Sequence, residues 1–367
     1  YLQMRCRFFW ISSINKNLAD DSEKVSCMDL KKLYYEAKSY IDIVDFSKLW
    51  RGFEPLKFAL YTDNECFFDG AYIEKTDDFI GNTSILYNGE WIAIWLVQEE
   101  MNPIVLTSKI IHEMFHGFQS MHNDSRFANE LDALYNYKYE EDNLNLKLKE
   151  NHLLYHLSTQ FDKNMFREFL QIRKYRFDTF LYAYHYEASI EQIEGIANFV
   201  EIQCLKQLSI ELFEKKLSAM RERIINPSNL LPIRVICYDI GALMLYVMTE
   251  NNIAFEDGFS SVTFAEAILS DVEGKKYVPE YSMKHLLDSY NANAKATICK
   301  AIEKNILVID TPCNLLGVNV YNAVFYENYI ISRYCVMFGS DKNPQIEYGD
   351  FVIETNAYRK ITKIYRI

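Results

Sequence analysis

The string HEMFH at residues 112–116, set inside a helical apolar pattern, constrains this chain more than any other feature. Asn102 and Pro103 predict where that helix begins, because asparagine is a favoured N-cap and proline a favoured first helical residue. Apolar residues then recur at helical spacing, at Ile104, Ile111, Phe115, Phe118 and Met121. Since residues four apart differ by about 40° around a helix axis, His112 and His116 point the same way. Two imidazoles so placed can occupy two corners of a tetrahedral zinc site.

The glutamate of the string, Glu113, adjoins both histidines. Its carboxylate can therefore reach a metal-bound water and act as a general base. The alternative is a chance match on an amphipathic helix. Only 7 of the 367 residues are histidine, so such a match is expected in roughly one of a hundred chains of this composition. The string therefore predicts a metal centre.

Zinc needs a third protein ligand, and His122 is the first candidate. It lies six residues after His116, as in the metzincin pattern HExxHxxGxxH, but Gln119 stands where that pattern has its glycine. Without the glycine the helix should continue and turn His122 about 120° away from His116, off the metal face. A histidine at the surface or the helix end is the interpretation that this position favours.

The second candidate is Glu194, within the string EASIEQIEGIANFVE at residues 187–201. Acidic residues recur there on one predicted helix face, at Glu187, Glu191, Glu194 and Glu201. Such a face is usually a solvated one. Gly195, however, costs about 1 kcal/mol inside a helix, and close approach of another helix, such as the one carrying the histidines, is a reason to keep it. That favours Glu194 as the third ligand.

HExxH followed by EGxAxFxE resembles the gluzincin metallopeptidases, and specifically their aminopeptidase-N-type sites. The resemblance implies one Zn²⁺ per chain bound by His112, His116 and Glu194, with Glu113 as the base. It also implies Glu201 as a second acid behind the ligands. We expect Glu201 and Gln119 to accept the remaining ring protons of the two histidines.

A further stretch, YDIGA at residues 238–242, resembles the YxxGA segment whose tyrosine stabilises the oxyanion in those enzymes. A neutral phenol near the metal can donate a hydrogen bond to developing negative charge. The alternative for Tyr238 is an ordinary half-buried core residue. Other residues just before the Glu194 helix could serve instead, namely Tyr182, Tyr184, His185 and Tyr186.

The resemblance covers only residues 84–250, and the chain departs from it in two ways. A long connection with helical pattern, including Phe166–Arg176, separates His116 from Glu194. There is also no GxMEN-like stretch, which binds the substrate amine in aminopeptidases, and Gly81–Ser84 lacks its acid. Exopeptidase activity is therefore not implied, and a divergent gluzincin branch fits better.

The predicted fold class is α+β, with a zincin-like catalytic domain of a small twisted sheet, the HExxH helix and a mostly helical second lobe. The predicted segments are an N-terminal part at 1–100, the helical zinc-site region at 101–304, and a small C-terminal β module at 305–367. Asp29–Tyr40 is a predicted helix of the N-terminal part. The predicted strands are Arg5–Ile11, Leu56–Tyr61, Ser84–Tyr87, Trp91–Val97, Ile306–Ile309, Tyr329–Phe338, Phe351–Glu354 and Ile361–Tyr365.

Three local expectations accompany this fold. Asn88–Gly89 predicts a two-residue hairpin turn. Either Ser84–Tyr87 or Trp91–Val97 should form the sheet edge along the cleft, where an extended peptide can pair. The stretch at residues 137–150, rich in Asn, Lys and Glu, is typical of a solvated helix or loop.

Charge and hydropathy limit the partners. The net charge of −12 and pI of about 5.2 exclude a broad basic surface for nucleic acid or anionic lipid. The longest apolar run, Ile240–Met248, is far short of the roughly 20 residues of a membrane span. The cytoplasm is the default location, and because the chain begins at Tyr1, secretion after removal of a signal peptide stays open. The sequence does not predict an oligomeric state.

The predicted function is a zinc-dependent peptidase acting on a peptide or protein substrate, with Glu113 activating water and Tyr238 stabilising the oxyanion. The alternative is a zincin-fold protein that hydrolyses something other than peptide or is not catalytic. Intact Glu113 argues against a non-catalytic protein, because metal retention alone does not require it. The runner-up ligand set is the metzincin-like one with His122.

Overall fold

The computed structural model describes residues 29–278 and 280–367. In this part of the chain the protein is mixed α+β, with a five-stranded sheet, a helical lobe and a C-terminal β module. The predicted strand Arg5–Ile11 lies outside the described residues. None of the described helices is long and apolar enough to span a membrane.

The helix that carries the histidines packs on the five-stranded sheet. Its strands are β1 (Lys57–Tyr61), β2 (Cys66–Phe68), β3 (Ala71–Ile73), β4 (Thr83–Tyr87) and β5 (Glu90–Leu96). Their order is β3-β2-β1-β5-β4, in which β1 and β5 pair in parallel and the other neighbours are antiparallel. The predicted hairpin turn joins β4 to β5, with φ of +49° at Asn88 and +83° at Gly89. Of the two candidate edges, Ser84–Tyr87 lies in the edge strand β4, whereas β5 lies inside the sheet.

Two helices pack on this sheet, α1 (Leu30–Ile41) and α2 (Pro103–Met121). The Asn102 side chain caps α2 as the sequence predicts, accepting hydrogen bonds from the amides of Ile104 at 2.9 Å and Val105 at 3.3 Å. Gly117 lets α2 approach the sheet, because a Cβ there would lie 2.5 Å from a methyl of Leu56. Packing on the sheet therefore determines which face of α2 points away from the sheet.

The helical lobe is built mainly around α2 and the buried helices that follow it. It comprises α3 (Glu130–Asn136), α4 (Glu141–Thr159), α5 (Lys163–Thr179), α6 (Leu181–Ile190), α7 (Ile196–Leu208), α8 (Ile210–Ile225), α9 (Arg234–Glu250) and α10 (Phe264–Ala267). The next helix, α11 (Lys284–Lys304), packs against the C-terminal β module. The sequence pattern at 187–201 predicts one regular helix, but a π-helical turn at Glu191–Gly195 joins α6 to α7.

The expectation of a solvated stretch at residues 137–150 is wrong. Its α4 part is a core element, in which Lys147 and Glu150 are fully buried. Its polar residues are buried because charged partners on α5 and α6 face them, as Arg173 and Arg176 do from α5. A segment that resembles a solvated face locally is therefore part of a polar core.

The C-terminal β module is an eight-stranded sheet within the described residues. Its strands are β6 (Leu307–Ile309), β7 (Cys313–Val318), β8 (Val324–Tyr326), β9 (Tyr329–Ser332), β10 (Cys335–Ser340), β11 (Asn343–Tyr348), β12 (Phe351–Thr355) and β13 (Lys360–Arg366). The prediction of one strand over Tyr329–Phe338 is wrong. The chain turns at Tyr334, whose φ is +73° and whose amide donates to Asp350 at 3.1 Å.

The C-terminal module packs directly against the helical lobe. Arg359, just before β13, donates to Asn136 of α3 at 2.8 Å and lies 3.3 Å from Asp132. Tyr135 of the same helix belongs to the apolar cluster of the module. The module is therefore positioned to contribute residues to a site in the lobe.

Candidate metal centre

Helix α2 presents His112 and His116 one turn apart, with their ring centroids separated by 4.9 Å. His116 is buried and His112 is half-buried. Both line a cavity of about 240 Å³ between the edge of the five-stranded sheet and the helical lobe. The face of α2 that the spacing of the histidines predicts is thus the face that turns toward the cavity.

Glu194, in the π-helical turn, brings a carboxylate to the same point. Its Oε2 atom lies 3.3 Å from Nε2 of His116 and 3.9 Å from Nε2 of His112. The three residues offer ligand atoms that all lie within 4.8 Å of one another. Two ligand atoms at 2.0–2.1 Å from a zinc ion in tetrahedral geometry are about 3.4 Å apart. The observed spacing therefore fits one zinc ion with small side-chain adjustments.

Hydrogen bonds of Gln119 orient the His116 ring so that its Nε2 lies near Glu194. Its Nδ1 lies 2.8 Å from Oε1 of Gln119, and Nε2 of Gln119 donates to the Ile193 carbonyl at 3.1 Å. That second bond fixes the amide so that Oε1 is the acceptor. Nδ1 of His116 therefore carries the proton, and Nε2 presents its lone pair toward Glu194. Of the two expected acceptors, Gln119 is thus the one that contacts His116.

Glu201 lies behind His112, with Oε2 at 3.6 Å from Nδ1 of that ring. This separation is longer than a hydrogen bond, and Nδ1 is buried without a closer partner among the described residues. Burial alone would raise the pKa of Glu201, but Lys109 and Lys216 hold it well below its usual range. The ionised carboxylate favours a proton on Nδ1 of His112, which again leaves Nε2 for a metal.

The predicted base, Glu113, is buried and lines the same cavity. Burial raises the pKa of its carboxyl above the usual value, and the neighbouring histidines only partly oppose the rise. Glu113 therefore lies in the same cavity as the metal-ligand residues, where its carboxylate can exchange a proton with a water.

Arg234, at the start of α9, holds the other oxygen of the Glu194 carboxylate. Its Nη2 lies 3.4 Å from Oε1 of Glu194, and its Nε donates to Glu130 at 2.8 Å. Burial would raise the pKa of Glu194, but His116 and Arg234 lower it below the usual range. Sequence reasoning missed both Arg234 and Glu130. The only available signal was that Arg234 lies one helical turn before Tyr238.

Two phenols face the cavity. Tyr238 lines it together with the histidines and accepts a hydrogen bond from Nη1 of Arg234. Its hydroxyl lies 3.4 Å from that of Tyr321, which comes from the C-terminal module and lines the cavity too. Burial raises the pKa of Tyr321, which keeps that hydroxyl protonated. Nothing in the sequence pointed to Tyr321, because its loop joins the site only through tertiary packing.

The four alternatives to Tyr238 for the oxyanion contact do not line the cavity, and their polar groups pair with other residues. The hydroxyls of Tyr182 and Tyr186 donate to Asp132 and Glu130, at 2.6 and 2.8 Å. The remaining two pair with α10, where Tyr184 donates to the Ala265 carbonyl at 3.0 Å and His185 contacts Glu266.

The alternative ligand His122 caps the end of α2, away from the cluster of His112, His116 and Glu194. Its Nδ1 lies 2.9 Å from the Phe118 carbonyl, and its ring stacks on Phe259 with centroids 4.4 Å apart. The helix ends at Met121 and does not continue through His122 as expected, and His122 is exposed. These contacts agree with its interpretation as a helix-end histidine.

The position of Glu194 depends on a backbone contact between its turn and α9. A Cβ on Gly195 would lie 2.8 Å from Cα of Gly241, and one on Gly241 would lie 2.7 Å from the carbonyl oxygen of Glu191. The expectation that the histidine helix makes this close approach is wrong, since α9 makes it. The contact brings Arg234 and Tyr238, which lie on α9, beside Glu194.

A buried ionic network holds the segment that precedes Glu194. Within the described residues its cations are Lys147, Arg173 and Arg176, and its carboxylates are Glu150, Glu187 and Glu191. Glu187 and Glu191, with Cys237, form a second group of metal-ligand types. The three cations neutralise its carboxylates, and burial raises the pKa of the Cys237 thiol well above its usual value. This second group is therefore suited to stabilising the fold rather than to binding a metal.

No protein family, curated protein or solved structure matches this chain in the three comparisons made. A function therefore has to be argued from the site residues and their surroundings. Around one cavity the structure brings together six side chains, those of His112, His116, Glu113, Glu194, Tyr238 and Tyr321.

Proposed function

We propose that this chain is a zinc-dependent peptidase whose ion is held by His112, His116 and Glu194. One observation carries the proposal. Glu194, far from the histidines in sequence, places Oε2 at 3.3 and 3.9 Å from their Nε2 atoms. Two histidines and one carboxylate are a donor set that catalytic zinc sites use, with one coordination position left open.

The chain supplies the groups that amide hydrolysis needs around such an ion. A bound zinc ion would act as a Lewis acid and lower the pKa of a water in the open position. Glu113 accepts a proton from the attacking water and passes it to the leaving amine. Tyr238 accepts from Arg234 and donates to the Tyr321 hydroxyl at 3.4 Å, a long hydrogen bond that it can exchange for one to the oxyanion.

The edge strand β4 supports a peptide as the substrate. Its outer side has no partner strand in the described part of the chain, and Thr83 at its start lines the cavity. An extended peptide can pair with such an edge through main-chain hydrogen bonds. A peptide added to β4 would pass the predicted base. We interpret the sheet and α2 as a zincin-like arrangement on the same grounds.

The test is zinc-dependent cleavage of a defined mixture of unstructured peptides, followed by mass spectrometry. We expect cleavage by the zinc-loaded protein, loss of cleavage with a chelator, and recovery when zinc is restored. His116→Ala should lose both zinc and activity, because one of three ligands is gone. The matched control His122→Ala should keep both. Zinc-loaded protein that cleaves none of the peptides would leave the alternative, a zincin-fold protein without peptidase activity.

The phenols give a second expected result. Tyr238→Phe should lower kcat by about 10–10³-fold with little change in KM or zinc content, because the lost hydrogen bond forms mainly in the transition state. Tyr321→Phe, which removes the neighbouring hydroxyl, should have the smaller effect. Steady-state kinetics on both variants checks this. A larger loss in Tyr321→Phe than in Tyr238→Phe would assign the oxyanion contact to Tyr321 instead.

A further inference from the structure

One wall of the cavity carries more positive than negative charge. Apart from Glu113 and Glu194, the charged residues that line the cavity in the described chain are Lys109, Lys216, Arg223, Glu201 and Asp239. These are three cations against two carboxylates. Lys216 and Arg223 both come from α8, while Glu201 and Asp239 come from α7 and α9. A zinc ion at the predicted site would balance the charges of Glu113 and Glu194, so the remaining lining keeps one positive charge in excess.

The two α8 cations are held in place yet reach solvent in the cavity. Lys216 donates to Glu201 at 2.9 Å, and Arg223 donates through Nε and Nη2 to Asp239 at 2.6 and 2.9 Å. Their side chains remain 24% and 44% exposed. Lys216 has further ammonium protons, and Nη1 of Arg223 makes no hydrogen bond to a described residue. Both can donate to a ligand without breaking these contacts.

Asn198 adds an independent indication of a ligand. It lies on α7 one helical turn after Glu194, is 7% exposed, and lines the cavity. The described residues give its side-chain amide no hydrogen-bond partner. Because Asn198 lines the cavity, its amide can donate to or accept from a group that binds there.

We propose that this wall binds a carboxylate of the substrate next to the scissile bond. The proposal rests on the proposed peptidase function. A monoanion matches the single excess charge, whereas a dianion such as phosphate would leave negative charge unbalanced beside Glu201 and Asp239. In a peptide the carboxylate comes either from an Asp or Glu side chain or from the C-terminus.

The experiment compares matched peptides on the zinc-loaded protein. One arm uses N-acetylated, C-amidated peptides with Glu or Gln placed in turn at each position around the cleaved bond. The other arm uses the Gln peptides with a free or an amidated C-terminus. In one arm the carboxylate form should have a kcat/KM about 10-fold higher or more, since a hydrogen bond to a charged group is worth that much. The arm with the preference identifies the source of the carboxylate.

Substitutions in this wall test whether it causes the preference for the carboxylate substrate. Lys216→Gln and Arg223→Gln should each reduce the ratio of carboxylate to neutral substrate to below about 3-fold, with zinc content measured alongside. Lys215→Gln is the matched control, because Lys215 is exposed on the same helix and does not line the cavity. It should keep the full ratio. A ratio that survives in both Lys216→Gln and Arg223→Gln would overturn the proposal.

A binding measurement separates this proposal from the peptidase proposal. Calorimetry with zinc-loaded Glu113→Gln and the same peptide pairs should show about 10-fold tighter binding of the carboxylate form. Cleavage of neutral and acidic peptides at equal rates, with equal binding, would overturn the carboxylate site and leave the peptidase standing. Absence of any cleavage would overturn the peptidase. The calorimetric ratio then decides the carboxylate site by itself.

Discussion

Glu113→Gln should reduce peptide turnover by at least about 10²-fold while the protein keeps its zinc. The substitution preserves shape and leaves His112, His116 and Glu194 intact. It removes only the ability of this side chain to take a proton. The position of Glu113 supports the expectation, because it is buried and lines the cavity together with the metal-ligand residues.

The measurement is kcat and zinc content on the same preparation. Glu100→Gln is the control, since Glu100 is exposed in the loop before α2. It should change neither quantity. A Glu113→Gln protein that retains zinc and most of its rate would refute proton transfer by Glu113, although the metal centre itself would stand.

Arg176→Met should lower the free energy of unfolding by about 3–5 kcal/mol, because it leaves buried carboxylates without their main partner. Arg176 is fully buried and donates to Glu187 at 2.6 and 2.7 Å, to Glu150 at 2.9 Å and to Asn143 at 2.9 Å. Methionine fills much of the volume but offers no charge. Lys147 and Arg173 remain, but these two cations then face three buried carboxylates, those of Glu150, Glu187 and Glu191.

Urea denaturation measures this effect, with Arg167→Met as the matched control. Arg167 is exposed on the same helix α5, so its loss should cost no more than about 0.5 kcal/mol. An Arg176→Met protein as stable as that control would show that the network adds little to stability. It would also remove the argument that the network holds the turn bearing Glu194.

The same network predicts how stability depends on pH. Burial would raise the pKa of Glu150, but Arg176, Lys147 and Arg173 outweigh it and lower the pKa to about 2. A depressed native pKa means that the stabilisation is complete above the unfolded-state pKa of about 4.3. It is lost as the pH falls toward about 2. In Arg176→Met the free energy of unfolding should fall less steeply as the pH is lowered through this range. Glu150 has then lost the cation that lowers its pKa most.

Local pattern was enough to predict the part of the site that lies on single helices. The start of α2 and the shared direction of His112 and His116 follow from capping and from the helical repeat. Glu194 is the preferred third ligand because a glycine follows it inside a predicted helix. The structure brings these three residues together. The hairpin turn was predicted by residue types that act within a few positions, whereas the sequence left open which of its two strands forms the sheet edge.

Contacts between distant segments explain what the sequence could not predict. Lys147 and Glu150 belong to a stretch typical of solvent, and they are buried only because Arg173 and Arg176 lie on the next helix. Gly195 signalled a close approach but not which helix makes it. Arg234 and Tyr321 reach the cavity through packing of α9 and of the C-terminal module, and no spacing rule connects them to the histidines.

The central claim is that His112, His116 and Glu194 bind one zinc ion, and anomalous scattering at the zinc edge tests it most directly. Crystals of protein never exposed to chelator should give one strong anomalous peak per chain. We expect it at about 2.0–2.1 Å from Nε2 of both histidines and about 2.0–2.2 Å from a Glu194 oxygen. A strong peak elsewhere in the chain, or a peak between the histidines with Glu194 turned away, would contradict the claim.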